Sequence, residues 1–307
     1  MAALISPKQV AMALGVSESS LKRWCDQGMI ATVRTAGGHR RISSASVVQF
    51  LQESGHRLAQ PELLNLPAAT TRGSQTFGDA RQRVLRALLL GDRDTCRQVL
   101  FELHLAGQPA FAICDQVLAG AFAEIGQLWS CGDAQVYQER RACELCISVL
   151  DELRSMIAAP SARRLAIGGT PECDPYVLPT TMVELVLLQA GWRSQSLGSR
   201  LPWDTMVAAV RNEKPQLYWI SVSHLDDASR FITGYRDFYT QVHASTAVVV
   251  GGRALTEDIR RQMEFTAHCD TLQHLDAFVR TWPQRAKRGR APTQEIRARR
   301  QSKERSL

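Results

Sequence analysis

The sequence predicts a multidomain protein of the α and α/β classes, with a winged helix-turn-helix, a four-helix bundle and a doubly wound parallel sheet. Two short helical segments surround a glycine-containing turn and precede a Gly-Gly hairpin tip. Apolar residues then recur at helical spacing over residues 79–160. After residue 161, short apolar runs alternate with helical segments. The 307 residues suffice for two or three domains with ordinary cores.

The first predicted domain covers residues 1–55. Ser6-Pro7 is typical of a helix start, because serine caps a helix and proline fits its first turn. The turn Leu14-Gly15-Val16 then leads to Ser17, which we expect to cap a second helix. Leu21 and Trp24 lie three apart and should pack inward. Such a pair of helices directs the second one into a major groove of DNA.

A basic hairpin follows the second helix, over residues 34–42 with the sequence RTAGGHRRI. Its two glycines permit a tight tip, and its cations can meet phosphates or a narrow minor groove. The predicted DNA-contacting residues are the polar ones of the second helix and of this wing: Ser19, Ser20, Lys22, Arg23, Arg34, His39, Arg40 and Arg41.

The run SPKQVAMALGVSESSLKRWCDQGMI, followed by TAGGHRRI, resembles the winged helix-turn-helix of MerR-type transcription regulators. The resemblance covers about 50 residues and is specific in its Gly-Gly-His-Arg-Arg wing. It implies binding to double-stranded operator DNA as a homodimer or a higher oligomer.

Residues 56–78 contain prolines, glycines and small polar residues without periodicity, which predicts a linker.

Residues 79–160 show helical periodicity almost throughout. Glycine or proline breaks at 91–92, 107–109 and 132–133 divide this stretch into four helices. At the first break, Gly91 should stop one helix and Asp92 should cap the next. Each helix has one apolar stripe, as at Val84, Leu85, Leu88 and Leu89. The stripes can be buried only against one another, so we expect a four-helix bundle.

Residues 161–283 are expected to form a Rossmann-like or flavodoxin-like domain. The predicted strands are Leu165 to Ile167, Leu217 to Val222 and Ala247 to Val250, and the predicted helices are Thr180 to Gln189, Thr205 to Val210 and Leu255 to Met263. Strands that alternate with helices favour a parallel sheet covered on both faces. Ligands of such sheets bind beyond the carboxyl ends of the strands.

A helical bundle followed by such a sheet resembles the cobalamin-binding module of methionine synthase and of light-responsive, cobalamin-dependent MerR-type repressors of carotenoid synthesis. The resemblance implies an Asp-x-His-x-x-Gly loop that supplies an imidazole to cobalt, and in the bundle a Trp, nine residues and Glu-His. Here Tyr176 replaces the loop His and Pro179 replaces the Gly. Arg140 replaces the bundle His, and Ser130 replaces a further His that directly follows the Trp. These replacements argue against cobalt ligation by imidazole.

Other positions of the resemblance persist. Together with the substituted Tyr176 they are the cofactor-binding candidates if binding is retained: Trp129, Glu139, Glu172, Asp174, Tyr176, Ser221, Ser223, Gly251 and Gly252. The strand-end serines and glycines have a second interpretation as turn residues. Trp129 and Glu139 can equally be a bundle anchor and a solvated acid. We therefore predict no metal site and no firm cofactor, with adenosylcobalamin-type cobalamin as the candidate.

The net charge of +7 resides in the C-terminal residues 284–307, which carry nine Lys and Arg against two Glu. Such a stretch, nearly free of apolar residues, predicts a disordered basic tail that attracts phosphates or aids solubility.

Eight scattered cysteines do not suggest a disulfide framework. No apolar run reaches the roughly 18 residues of a membrane span, so we expect a cytoplasmic protein without a membrane partner.

The sequence is compatible with three functions, of which the first is favoured. The first is a DNA-binding transcription regulator, a repressor, whose cobalamin-type domain serves oligomerisation or binds a regulatory protein or another ligand. The second is a light-responsive regulator that binds cobalamin without a histidine ligand. The third, an enzyme component that uses cobalamin, lacks a catalytic partner domain and a nucleophile-base pair, so we expect no enzymatic activity.

Overall fold

A computed structural model of the chain describes residues 4–67, 76–132, 135–158, 160 and 164–282. The chain divides into two compact units, Met1–Ala159 and Pro160–Leu307. The predicted basic tail and residues 68–75 of the predicted linker lie outside the described residues. None of the helices within the described ranges is long and apolar enough to cross a membrane.

The first unit begins with the predicted winged helix-turn-helix. Its elements are β1 (Leu4–Ile5), α1 (Pro7–Leu14), α2 (Glu18–Asp26), β2 (Val33–Arg34), β3 (Arg40–Ser43) and α3 (Ser44–Ser54). The strands form an antiparallel sheet in the order β1-β3-β2. Ser6 and Ser17 cap α1 and α2 by accepting hydrogen bonds from the backbone N–H groups of Gln9 and Ser20. Gly15 ends α1 with a φ of 67°, which favours glycine.

The two inward positions of α2 differ in burial. Leu21 is fully buried, as expected. Trp24 is only half-buried, and its ring packs against Phe50 of α3 and against His56, with 5.0 Å between ring centroids in each pair. One side of the indole therefore packs on α3 while the rest stays accessible.

The first part of the predicted linker is folded. Residues Pro61–Leu64 form a 3-10 helix, and the backbone N–H groups of Ala59 and Gln60 both donate to the carbonyl of Ala13, at 2.7 and 3.1 Å. Leu64 and Leu66 are buried. The lack of periodicity did not predict this folded part, because a single short turn with two buried leucines produces no periodic hydrophobic pattern.

Four helical stretches form the bundle: α4 (Phe77–Leu90), α5 (Arg93–Leu105), a third stretch that runs through α6 (Ala110–Ala112), a π-helical segment (Ile113–Ala119) and α7 (Gly120–Ser130), and α8 (Val136–Ser155). Gly91 ends α4 in a left-handed conformation and Asp92 caps α5, as predicted. The helix α4 begins two residues before the expected boundary because Thr76 caps it. The π-helical segment has no signature in the hydrophobic pattern.

His104 on α5 is a buried imidazole in this unit, with 3% of its surface exposed. Within the described part of the chain neither ring nitrogen has a hydrogen-bond partner. Burial lowers the pKa of His104 to about 4, since the charged form would lose its hydration. Its carbonyl accepts a 2.6 Å hydrogen bond from Gln52 of α3, so α3 and α5 contact each other at this residue.

The second unit is the predicted doubly wound sheet. Its elements are β4 (Leu165–Gly169), α9 (Leu178–Gln189), β5 (Arg193–Ser196), α10 (Trp203–Glu213), β6 (Leu217–Ser221), α11 (Ala228–Val242), β7 (Ala247–Gly251), α12 (Glu257–Arg260), β8 (Ala267–Cys269) and α13 (Leu272–Arg280). All five strands are parallel, in the order β5-β4-β6-β7-β8. The helices α10 and α11 pack together, and Phe238 of α11 contacts Tyr218 of β6 in the core. The helix α9 packs on β4 and β6.

The sequence missed the two edge strands, β5 and β8, and the helices α11 and α13. The edge strands read RSQS and AHC, and neither is an apolar run, because only the central strands of a parallel sheet are buried on both faces. The predicted helix Leu255 to Met263 was too long. Only Glu257–Arg260 is helical, while Leu255 and Met263 are buried at its two sides.

We predict that His104→Leu reduces the acid sensitivity of the protein. The folded-state pKa lies below the usual value of 6.5, so the unfolded chain takes up the proton first as the pH falls. The stability that the neutral imidazole contributes is present above about pH 6.5 and is lost as the pH falls towards 4. Between pH 7 and pH 5, wild type should lose about 2 kcal/mol more than the variant.

Urea unfolding of the full chain at both pH values measures this difference. The control is His274→Leu, since His274 is exposed on α13. Equal pH dependence of wild type and His104→Leu would contradict the assignment.

Candidate functional site

The outward face of α2 carries four of the eight predicted DNA-contacting residues. Ser19, Lys22 and Arg23 are exposed and Ser20 is half-buried. The Ser17 hydroxyl lies 2.8 Å from that of Ser19 and 3.0 Å from that of Ser20. These serines therefore also support the helix cap, and the two cations are the freely accessible groups of this face.

The wing is a β2–β3 hairpin in which Arg34 pairs with Arg40 and Val33 pairs with Arg41. Its tip is closed by a 2.9 Å bond from the Thr35 N–H to the His39 carbonyl. Gly38 adopts a φ of 79°, so this tip requires glycine. The hairpin holds Arg34 and His39 exposed and Arg41 half-exposed. The structure thus brings the cations of the wing together on one short hairpin.

Arg40 differs from its neighbours because it has a protein partner. Its guanidinium donates to the carboxylate of Asp26, the last residue of α2, at 2.7 Å. The side chains are 25% and 50% exposed. This ion pair ties the wing to the end of α2, and Asp26 is a site residue that the sequence did not reveal.

A second candidate site lies at the carboxyl edge of the sheet, where Asp174 is fully buried in the loop after β4. Its carboxylate accepts hydrogen bonds from the backbone N–H groups of Tyr176 and Ser223. Burial raises the pKa of Asp174 and outweighs the lowering by these hydrogen bonds. Asp174 therefore fastens the loop after β4 to the end of β6, and its oxygens point into the protein.

Arg253 covers the same loop and was not identified from the sequence. Its guanidinium carbon lies 5.8 Å from the ring centroid of Tyr176, and its Nε donates to the Ser223 carbonyl at 3.2 Å. Tyr176 is half-buried beneath it. Glu172 is exposed and lies 3.6 Å from Arg230. The only sequence signal for Arg253 is its place directly after the Gly-Gly pair of β7.

The glycines at the end of β7 are required by neighbouring backbone. A Cβ on Gly251 would lie 2.7 Å from the Cys269 carbonyl oxygen, and a Cβ on Gly252 would overlap the backbone of Val222. Gly252 also has a φ of 115°. Ser221 is buried beside them. These contacts favour the interpretation of the Gly-Gly pair as a structural feature of the strand ends.

An indole lies between the central strands and α9. Trp219 on β6 is 2% exposed, and its N–H donates to the Thr180 hydroxyl at 2.8 Å. Thr180 belongs to the first turn of α9 and lies 3.2 Å from the Ser196 hydroxyl. A Cβ on Gly168 would overlap both the backbone and the ring of Trp219. The sequence offered Trp219 only as one apolar residue of a buried strand.

The bundle candidates lie near the connection between α7 and α8. Trp129, near the end of α7, is 56% exposed, and Glu139 on α8 is half-buried. Val136 and Tyr137 at the start of α8 are 50% and 63% exposed. Neighbouring large exposed apolar residues are typical of a surface that binds a ligand or another protein.

The donor set does not fit cobalt ligation as the resemblance describes it. At the expected imidazole position stands the phenol of Tyr176, which faces Arg253. The imidazole of His224 follows Ser223, but its Nε2 lies 2.7 Å from Asp226. Among the residues that the structure describes, no group of three or more His, Cys, Asp or Glu side chains is placed to hold a metal ion.

Comparisons with known proteins divide the first unit in the same way. Residues 4–55 match the helix-turn-helix domain family, and residues 80–154 match the B12 binding domain family. The chain combines a helix-turn-helix domain with a B12-binding-type domain. Over 265 residues it is 26% identical to the HTH-type transcriptional repressor CarH of Myxococcus xanthus, with 78% of this chain and 86% of the repressor covered. The resemblance inferred from the sequence is confirmed.

The B12-binding-type domain also has a solved structural relative. The monomethylamine corrinoid protein of Methanosarcina barkeri aligns with a TM-score of 0.55 and 14% identity, over 67% of this chain and 99% of that protein. This likeness shows the shared fold, a helical bundle with a parallel sheet. Together with the family match it makes cobalamin a candidate ligand.

We predict that Asp174→Ala destabilises the sheet unit by about 2 kcal/mol, because two backbone N–H groups lose their acceptor. Glu172→Ala, two residues away and exposed, should change the free energy of unfolding by less than about 0.5 kcal/mol. Urea unfolding followed by tryptophan fluorescence compares the variants. Equal effects of the two substitutions would show that Asp174 does not hold the loop.

Proposed function

We propose that this protein is a sequence-specific DNA-binding transcription regulator, a repressor, that acts as a homodimer or a higher oligomer. The observation that carries the proposal is the wing, a closed hairpin that presents Arg34, His39 and Arg41. The Arg40–Asp26 ion pair joins this hairpin to the end of α2, the helix that carries the exposed Lys22 and Arg23. A helix with a basic hairpin at its side suits one major groove and the adjoining phosphates or minor groove. The similarity to the transcriptional repressor CarH supports the same function.

We propose further that the B12-binding-type domain acts without cobalt ligation by this chain. The support is the phenol of Tyr176 at the expected imidazole position, and the inward use of the Asp174 carboxylate. In this proposal residues 79–160 and 161–283 serve oligomerisation, a regulatory protein partner or another ligand. The tail at 284–307 and the linker at 56–78 complete the proposed domain division.

A second candidate function is regulation by cobalamin bound without a protein ligand to cobalt. The exposed indole of Trp129 favours it, because an uncovered aromatic surface can pack on a large apolar ligand. An enzymatic role is not proposed, since the curated relative is named as a repressor. The corrinoid protein likeness concerns the fold alone.

We predict that purified protein binds its operator equally well with and without adenosylcobalamin, and equally in the dark and after illumination. The operator is a duplex that the wild-type protein selects from a random library. Fluorescence anisotropy measures the affinity in all four conditions. A strict requirement for cobalamin, or loss of binding on illumination, would refute regulation without cobalamin and favour the second candidate.

We predict that Arg34→Ala and Arg41→Ala each weaken operator binding and flatten its salt dependence. Each lost phosphate contact should reduce the slope of log K against log salt by about 0.9, because fewer counterions are released. The matched control is Arg86→Ala, an exposed arginine on α4. Anisotropy titrations at several salt concentrations give the slope, and an unchanged slope in both wing variants would remove the wing from the interface.

A further inference from the structure

The topology of the sheet defines where a ligand crevice should lie. In the order β5-β4-β6-β7-β8, the chain proceeds from β4 outwards to β5 on one side, and to β6, β7 and β8 on the other. The switch point is therefore between β4 and β6. In open parallel sheets, ligands enter at this point, beyond the carboxyl ends of the two strands. In this chain the switch point lies beside Gly168, Gly169 and Ser221.

The side chain of Trp219 fills the space between this switch point and α9. Trp219 is aligned with Gly168 of β4 in the sheet register, and the missing Cβ of Gly168 leaves the space that the indole ring takes. The ring is 2% exposed. Any group that enters between α9 and the two strands must first displace this indole.

A hydrogen bond holds the indole in place. Its N–H donates to Thr180, which is fully buried in the first turn of α9. The same threonine contacts the Ser196 hydroxyl of β5, so one side chain connects the helix, the edge strand and the central strand. If the indole left, the buried Thr180 hydroxyl would lose this partner. The closed arrangement is therefore satisfied in both its packing and its polar groups.

The outer side of the same crevice is closed by the loop after β4. Asp174 binds the backbone of Ser223, and Arg253 reaches across to Tyr176 and to the Ser223 carbonyl. The loop is folded onto the ends of β6 and β7. Both approaches to the switch point are thus occupied by the protein's own side chains.

We infer that Trp219, anchored by Thr180, is a specificity-determining residue that excludes ring-sized groups, such as the nucleotide base of a corrinoid, from the switch-point crevice. The inference deepens the proposed function, since it explains how a B12-binding-type fold would discriminate against an inserted nucleotide. It concerns the crevice alone and makes no use of the metal.

The test compares two corrinoids on the full-length protein in the dark. Adenosylcobalamin carries the nucleotide tail and adenosylcobinamide lacks it, so the ratio of their affinities reports the crevice. Trp219→Gly should bind adenosylcobalamin at least about tenfold more tightly than wild type, with adenosylcobinamide affinity unchanged. Trp203→Leu removes a tryptophan from the aromatic cluster of α10 and α11, and it should give no such gain. Absorbance titrations and gel filtration provide the affinities.

A second readout is independent of corrinoids. Free benzimidazole should raise the thermal midpoint of Trp219→Gly, because it refills the cavity, and should leave wild type unchanged. If Trp219→Gly does not fold, Thr180→Val replaces it. That variant keeps the ring and removes its anchor, so the cobalamin-to-cobinamide ratio should rise in the same direction.

The inference is overturned if wild type already favours adenosylcobalamin over adenosylcobinamide and the substitutions leave this preference unchanged. The proposed function is judged separately, by operator binding with and without cobalamin. Cobalamin-dependent operator binding with a raised ratio in Trp219→Gly would contradict the proposed function and support the role of Trp219. Operator binding that does not depend on cobalamin, with an unchanged ratio in Trp219→Gly, would support the proposed function and contradict the role of Trp219.

Discussion

The indole of Trp219 occupies the space between the two central strands and the first turn of α9, and this contact limits what can lie at the switch point of the sheet. A side chain on Gly168 would overlap the ring, and the buried Thr180 hydroxyl accepts the hydrogen bond of the indole N–H. Protein interiors are close-packed, so a ring of this size leaves no room for a second one. The contact therefore constrains both the fold and the ligands that the fold can accept.

Asp174 extends the same constraint to the carboxyl edge. A buried carboxylate needs hydrogen-bond donors, and it finds them in the backbone of its own loop and of the neighbouring strand end. A residue that looks like a candidate for ligand binding is thereby used for structure. The Gly-Gly pair at 251–252 is similar, since adjoining backbone occupies the space that the missing side chains leave.

The helix-turn-helix domain uses its polar groups in the opposite way. Its cations lie on an exposed helix face and on a short hairpin, and within the described residues 4–55 only Arg40 has a carboxylate partner. Arg40 is the exception, and its ion pair with Asp26 orders the wing relative to α2. Fixed geometry with exposed charge is what recognition of a phosphate backbone and a groove needs. The contrast between the two domains supports the proposed DNA-binding function and the proposal that the B12-binding-type domain acts without cobalt ligation by this chain.

The sequence by itself determined the order of the three folds, the caps at Ser6, Ser17 and Asp92, the basic wing and the absence of the expected imidazoles. These features are local, since each depends on a few adjacent residues and on periodicity. Tertiary structure alone decided which polar groups are free. The partner of Arg40, the inward turn of Asp174, the cover supplied by Arg253 and the position of Trp219 over Gly168 all join residues that are distant in the chain. Such contacts arise from tertiary packing, and they cannot be predicted from the hydrophobic pattern or from motif spacing.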